Sequence, residues 1–280
     1  MTAGPSLHLL APAKINLFLH VNGKRDDGYH LLQSLVAFAD IGDTLEFFPH
    51  DSLAITITGP FMKGLDANDN IIIKAASLLA AHHKIKPKAK IHLIKNLPIA
   101  AGIGGGSADA AVAINGLEKL WGVSTHQEDK LRIAAQIGAD VPACLYGQAL
   151  WMEGIGEKIT PVPNFTPLHV VLVNPGVPVL TVDVFKHLVL PFNTPVPLRT
   201  GLPFLKKCRN DLTNSAIQCT SIIDEVLYAL TATEGCEIAR MSGSGATCFG
   251  IYPSAKAAEG ATQKIQSSHP HWWVQKTALI

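Results

Sequence analysis

Charge is scarce in this sequence. Only 16% of its 280 residues are Asp, Glu, Lys or Arg, and 23 basic side chains against 22 acidic ones leave a formal net charge of +1. A chain so close to neutral has no global polybasic character, which argues against bulk attraction to nucleic acid or to an anionic membrane. Cysteine is also scarce, and it is unpatterned. Cys144, Cys208, Cys219, Cys236 and Cys248 are odd in number, widely spaced and without a C-x-x-C pair. That argues against a disulfide framework or a zinc ribbon and makes a reducing cytoplasm the expected home. No basic segment precedes the first apolar stretch, and Pro12, Lys14 and Asn16 interrupt it, so no secretory leader is expected. No apolar run approaches the length needed to cross a bilayer. The histidines lack the H-E-x-x-H spacing of a metal site, and no structural metal is expected.

What the sequence does have is apolar mass. Hydrophobic residues make up 48% of it, which suits a well-buried globular protein, and the length is comfortable for two domains sharing a cleft. Strand character dominates the start, at 8–10, 15–21, 31–38, 44–48 and 54–58, with a charged turn at 24–28 and Gly42 as a break. Residues 70–82 read as a helix, because Ile71, Ile72, Ala75, Leu78 and Leu79 recur at helical spacing and Asp69 or Asn70 can cap it. Lys84, Lys86, Lys88 and Lys90 alternate into a strand at 91–94 and read as a solvated edge that resists pairing. Helices are expected over 107–121, stopped by Gly122, and over 128–137, capped by Ser124 or Thr125 and closed by Gly138. Asp140 and Pro142 open another short helix. Strands return at 148–153, 169–174 and 272–276, with a strand and turn over 240–250 and helices near 221–231 and 255–265. Trp272 and Trp273 read as packing for the last strand. Pro161, Pro163 and Pro167 mark the expected boundary between domains at 1–163 and 164–280. Strands and helices mix without strict βαβ alternation, so the fold class is α+β.

The most informative segment is Pro98-Ile99-Ala100-Ala101-Gly102-Ile103-Gly104-Gly105-Gly106-Ser107-Ala108. Such a backbone has almost no side-chain cover, reaches positive φ and comes close to a ligand through its N–H groups. It leads into a helix whose first turn has free N–H groups and a partial positive charge, which together make a phosphate cradle. It is not a Walker A loop, since no lysine follows the glycines, and not a dinucleotide G-x-G-x-x-G, since Ser107 replaces the last glycine. A plain loop that lets a helix pack closely on a strand is the alternative. Ser107 reads as an N-cap, a phosphate or metal ligand, or both.

Two further motifs bear on chemistry. In Pro12-Ala13-Lys14-Ile15-Asn16-Leu17 one lysine and one asparagine stand two apart on an apolar strand, so both face the same way. Tyr29 and His30 offer a stacking face and ring nitrogens suited to a nucleobase or another flat ring, or else pack a turn.

The glycine loop resembles the phosphate-binding motif of the GHMP kinase superfamily. Together with Pro12–Leu19, Asp27-Gly28-Tyr29-His30, Gly138-Ala139-Asp140-Val141-Pro142 and Met241-Ser242-Gly243-Ser244-Gly245-Ala246-Thr247, it resembles the branch that acts on a cytidine-diphosphate-linked polyol. The motifs occur in that branch's order and span most of the chain. The resemblance implies a two-domain GHMP kinase fold: a ribosomal protein S5 domain 2-like N-terminal domain and a ferredoxin-like α/β sandwich, with the active site in the interdomain cleft. It implies ATP and Mg²⁺ and phosphorylation of the 2-hydroxyl of 4-diphosphocytidyl-2-C-methyl-D-erythritol in the cytoplasm, by a monomer or homodimer with no nucleic-acid or membrane partner. Residue by residue, it makes Asp140 the catalytic base and Lys14 the catalytic lysine, and puts Asn16 on the substrate. Tyr29 and His30 fall on the cytosine, Phe185 in the Thr181–Phe185 segment on its other wall, Pro98 to Ala108 on ATP, and Gly243, Ser244 and Gly245 beside the active site. Ala108 stands where the family often has serine, and the resemblance leaves the Mg²⁺ ligands unassigned. A mevalonate- or homoserine-like substrate, or a non-enzymatic nucleic-acid-binding protein using the lysine ridge, are the competing readings. A small aliphatic substrate has no base for Tyr29 and His30 to hold, and near-neutral charge argues against nucleic acid.

Overall fold

Alternating and continuous apolar runs in this chain become strands, and the runs at helical spacing become helices packed on them. A computed structural model describes residues 7–67, 69–189 and 191–280. In chain order the elements are β1 (Leu7–Asn16), β2 (His20–Lys24), β3 (His30–Phe48), β4 (Leu53–Thr58), α1 (Ile71–His83), β5 (Ala89–Ile94), α2 (Gly105–Trp121), α3 (Gln127–Ile137) and α4 (Val141–Tyr146). There follow β6 (Leu150–Gly154), β7 (Lys158–Pro161), β8 (Leu168–Asn174), α5 (Thr181–Lys186), α6 (Leu202–Leu205), α7 (Thr213–Cys219), α8 (Ile222–Thr231), β9 (Ile238–Met241), β10 (Cys248–Tyr252), α9 (Ala255–Ser268) and β11 (Trp273–Leu279). The fold is α+β, and among the described residues no helix is long and apolar enough to cross a membrane.

The chain forms two compact units that interleave along the sequence. Among the described residues, one comprises 7–13, Ile41–Ile99 and Gly104–Gly147; the other comprises Lys14–Asp40, Ala100–Ile103 and Gln148–Ile280. In the first unit β4 runs parallel to β5, with α1 as the crossover. The C-terminal part of β3 pairs antiparallel with β5 from Thr44↔Ile94 to Phe48↔Lys90. Lys90 therefore lies on a strand paired on both sides, not on the edge that its alternation suggested. Asn70 caps α1 by accepting the Ile72 amide at 2.9 Å, and the helix buries Ile72, Ala75, Ala76 and Leu79. Gly42 does not break the strand, because β3 continues through it for 19 residues. A side chain at Gly42 would meet the Ala11 carbonyl oxygen at 2.0 Å, so this glycine lets β1 approach. Neither Ser124 nor Thr125 caps α3. His126 stands at that position, and the Thr125 amide donates to Glu118 instead.

In the second unit β11, β8, β10 and β9 lie side by side and antiparallel. Helices α8 and α9 cover them, burying Ile223, Val226, Leu230, Ala258, Ala261 and Ile265 against Val171 and Val173. Burial of this kind contributes roughly 1.5–3 kcal/mol for each large aliphatic side chain. Strands β2 and β6 both pair with the N-terminal part of β3, and β7 pairs with β6. Trp272 packs against the same core and stacks on His269 at 3.8 Å.

Candidate active site

The glycine-rich segment begins with its carbonyls tied down. The carbonyl of Ala100 accepts the Val179 amide at 3.4 Å, Ala101 accepts Thr247 at 3.1 Å, and Ile103 accepts Lys14 at 2.9 Å. Between them the Gly102 carbonyl accepts the Ser242 hydroxyl at 3.1 Å. In a planar trans peptide the N–H points opposite to the preceding C=O. Four carbonyls held in a row therefore turn the N–H groups of Ala101, Gly102, Ile103 and Gly104 away from their tethers. The φ angles agree: Ala100, Gly102 and Gly104 are at +50°, +71° and +62°, whereas Ala101 and Ile103 are not positive. That alternation is the backbone form of an anion-binding nest. A side chain on Gly102 would meet the Ser242 carbonyl oxygen at 2.5 Å and the Gly245 nitrogen at 2.7 Å, so only glycine allows the loop this close to the 243–245 turn. Gly104 serves as the N-cap of α2, which starts at Gly105, two residues earlier than expected. Ser107 thus lies in the first helical turn and is not the cap.

The same unit brings several of the singled-out side chains together. Asn16 is 1% exposed; its amide donates to the Ser242 hydroxyl at 3.1 Å and its side chain to Ser34 at 2.8 Å, while its Oδ1 is buried with no hydrogen-bond partner. Such an orphan acceptor invites a donor from a ligand. Thr181 and Ser244 share a hydrogen bond at 2.8 Å. His30 stacks on Phe185 with ring centroids 4.8 Å apart and planes 21° from parallel. Burial, helped by Lys24, lowers the His30 pKa, so the imidazole is neutral near pH 7 and offers both a donor and an acceptor. Tyr29 is 61% exposed beside it, with its amide held by Asp27.

The other unit carries the start of α2, Asp140 and a buried ion cluster that the sequence did not reveal. Asp140 occupies the N-cap position of α4, yet its side chain makes no capping hydrogen bond. Lys95 donates to Asp43 at 2.5 Å and to Asp109 at 2.7 Å, with all three side chains buried. Asp43 also accepts the Asn96 and Leu97 amides at 2.6 and 2.8 Å, which anchors the chain just before Pro98. The Oδ1 of Asp109 has no partner. Among the described residues no group of three or more His, Cys, Asp or Glu side chains is placed to hold a metal ion.

Comparison with known proteins decides the family. The model of the GHMP kinases N terminal domain matches residues 70–148, and that of the GHMP kinases C terminal matches 202–271. The chain is 50% identical to the 4-diphosphocytidyl-2-C-methyl-D-erythritol kinase of Paramagnetospirillum magneticum over 98% of this chain and 99% of that one. It is 44% identical to the enzyme of the same name from Rhodospirillum rubrum, over 99% and 94%. A crystal structure of 4-(cytidine 5'-diphospho)-2C-methyl-D-erythritol kinase superposes with a TM-score of 0.83 at 30% identity, covering 98% of this chain and 99% of that one. The chain belongs to the 4-diphosphocytidyl-2-C-methyl-D-erythritol kinases.

In this member of the 4-diphosphocytidyl-2-C-methyl-D-erythritol kinases, three groups support the loops: Asn210 and Arg240, which escaped sequence reading, and Ser242, whose motif was singled out but whose bonds were not. Ser242 and Asn210 make contacts to residues far away in the chain. Asn210 donates to the Met241 and Gly243 carbonyls at 2.8 Å each. Arg240 donates to the carbonyls of Leu17, Leu205 and Cys208, and burial lowers its pKa to about 10. It lines a cleft of about 340 Å³ with Arg209, Asp211, Thr213 and Met241, the first residue of the 241–247 motif.

Proposed function

We propose that the chain transfers the γ-phosphate of ATP to the 2-hydroxyl of 4-diphosphocytidyl-2-C-methyl-D-erythritol, giving the 2-phosphate and ADP, in the non-mevalonate route to isoprenoid precursors. The observation that carries the reading is the nest at 100–104, in a chain that matches its named relatives nearly end to end. The loop amides and the N-terminus of α2 hold the triphosphate. Mg²⁺ brought in on the nucleotide would need few protein ligands, because it dehydrates reluctantly, and would supply positive charge to offset that of the triphosphate.

The acceptor hydroxyl forms a bond to the γ-phosphorus while the bond to the β–γ bridging oxygen breaks, and ADP leaves. Asp140 receives the hydroxyl proton, and Lys14 offers positive charge to the developing alkoxide. Asn16 orients the acceptor through its unpaired Oδ1. Tyr29 and Phe185 hold the cytosine faces, and neutral His30 its edge. Thr181, Gly243, Ser244 and Gly245 border the substrate. Cys208, Cys219, Cys236 and Cys248 carry free thiols, which supports a reducing, cytoplasmic setting.

An ADP-release assay across cytidine-diphosphate-linked and free alcohols tests the substrate. Turnover is expected with the linked polyol, and turnover only with mevalonate, homoserine or another free alcohol overturns the reading. In the same assay Asp140→Asn should lower kcat by roughly a hundredfold or more with little change in melting temperature. Near-normal turnover removes Asp140 from the mechanism.

A further inference from the structure

We propose that the buried hydroxyl of Ser242 is a positioning group that fixes the Gly102 carbonyl and the Asn16 amide at one point, setting the nucleotide loop and the substrate strand in a common register. This deepens the kinase reading and rests on it for what the loop and strand hold. Ser242 is fully buried, and its Oγ lies 3.1 Å from the Asn16 nitrogen and 3.1 Å from the Gly102 oxygen. The direction of both bonds is forced. An amide only donates and a carbonyl only accepts, so the hydroxyl receives from Asn16 and gives its single proton to Gly102.

Three of the four tethers on the loop carbonyls are backbone amides, which survive almost any substitution; the Gly102 tether is a side chain. Its base is rigid. The Ser242 amide donates to the Thr247 carbonyl at 2.9 Å and its carbonyl accepts from Gly245 at 3.0 Å. Asn210 grips the carbonyls on either side of it. The Gly102 carbonyl and the Ile103 N–H belong to one peptide plane. Without the hydroxyl that plane loses the bond that sets its rotation, and the Ile103 N–H turns off the anion. The Asn16 amide loses its acceptor in the same step, so a buried donor and a buried acceptor are left unsatisfied together.

The test is Ser242→Ala, read by KM and by hydrogen exchange of the 98–108 segment with and without a non-hydrolysable ATP analogue. Expected are a rise in KM for both ATP and the cytidine-diphosphate-linked alcohol and a loss of roughly tenfold to a hundredfold in kcat/KM. Analogue protection of the loop amides should weaken as well. Ser242→Cys, closer in volume and still a weak donor, should fall between the two and carries the same comparison if the alanine variant does not fold. A folded variant with a lowered melting temperature but unchanged KM for ATP and unchanged protection overturns the proposal, because Ser242 is then only structural. If the wild type fails to phosphorylate the linked alcohol, the substrate reading falls. The exchange comparison still decides Ser242.

Discussion

On the proposed reading, Tyr29 is a single side chain that recognises cytosine at little cost to the fold. It is mostly exposed, while its neighbour His30 lies against Phe185. An aromatic side chain contributes roughly 1–3 kcal/mol when a base stacks on it, a factor of about five to about 150 in affinity. Tyr29→Ala should therefore raise KM for the cytidine-linked substrate by about that factor and leave KM for ATP and the melting temperature near wild type. Equal changes in the two KM values would remove the cytosine role. A candidate of this kind stands out in the sequence, because Tyr-His after Asp-Gly is a local pattern. Ser242, Asn210 and the Asp43–Lys95–Asp109 cluster do not, because their meaning lies in partners tens to hundreds of residues away.

At the scale of elements, most strands and long helices were legible from periodicity, and the failures have physical causes. Short helices such as α5, α6 and α7 offer too few residues to show a helical period. The alternation that ends at Lys90 suggests edge protection, yet the pairing of Lys90 on both sides shows that exposure of a side chain and exposure of the strand backbone are separate matters. Sequence alone makes Gly42 a break, because glycine weakens a strand interior. Its use here is the close approach of the β1 backbone, which no local window contains. Gly42→Ala places a methyl group inside that approach. Overpacking of this kind costs typically about 1–3 kcal/mol and more where only backbone can yield. The urea midpoint of Gly42→Ala should fall accordingly with an unchanged m-value, and a midpoint equal to wild type would show that β1 can move aside.

For the molecule as a whole, the buried Asp43–Lys95–Asp109 cluster makes stability depend on pH. One ammonium cannot neutralise two buried carboxylates. Asp43 has three donors; Asp109 has Lys95 as its donor and a bare second oxygen. Burial raises the Asp109 pKa, Lys95 draws it back, Asp43 pushes it up again, and it settles at about 7. Burial alone would lower the Lys95 pKa, but the two carboxylates outweigh it and hold it above the ordinary lysine value. The sign for Asp109 follows from proton counts. Between its ordinary value of 3.8 and about 7, the folded protein holds a proton that the unfolded chain has released. Its contribution to stability therefore falls as pH rises through that window and is constant above it. Asp109→Asn removes this titration and leaves the other ionisable groups in place. The difference in denaturation midpoint, variant minus wild type, should climb in the variant's favour from pH 4 to 7 and level off by pH 8. A difference that stays flat across that range would mean that Asp109 ionises as an ordinary carboxylate, fully paired with Lys95.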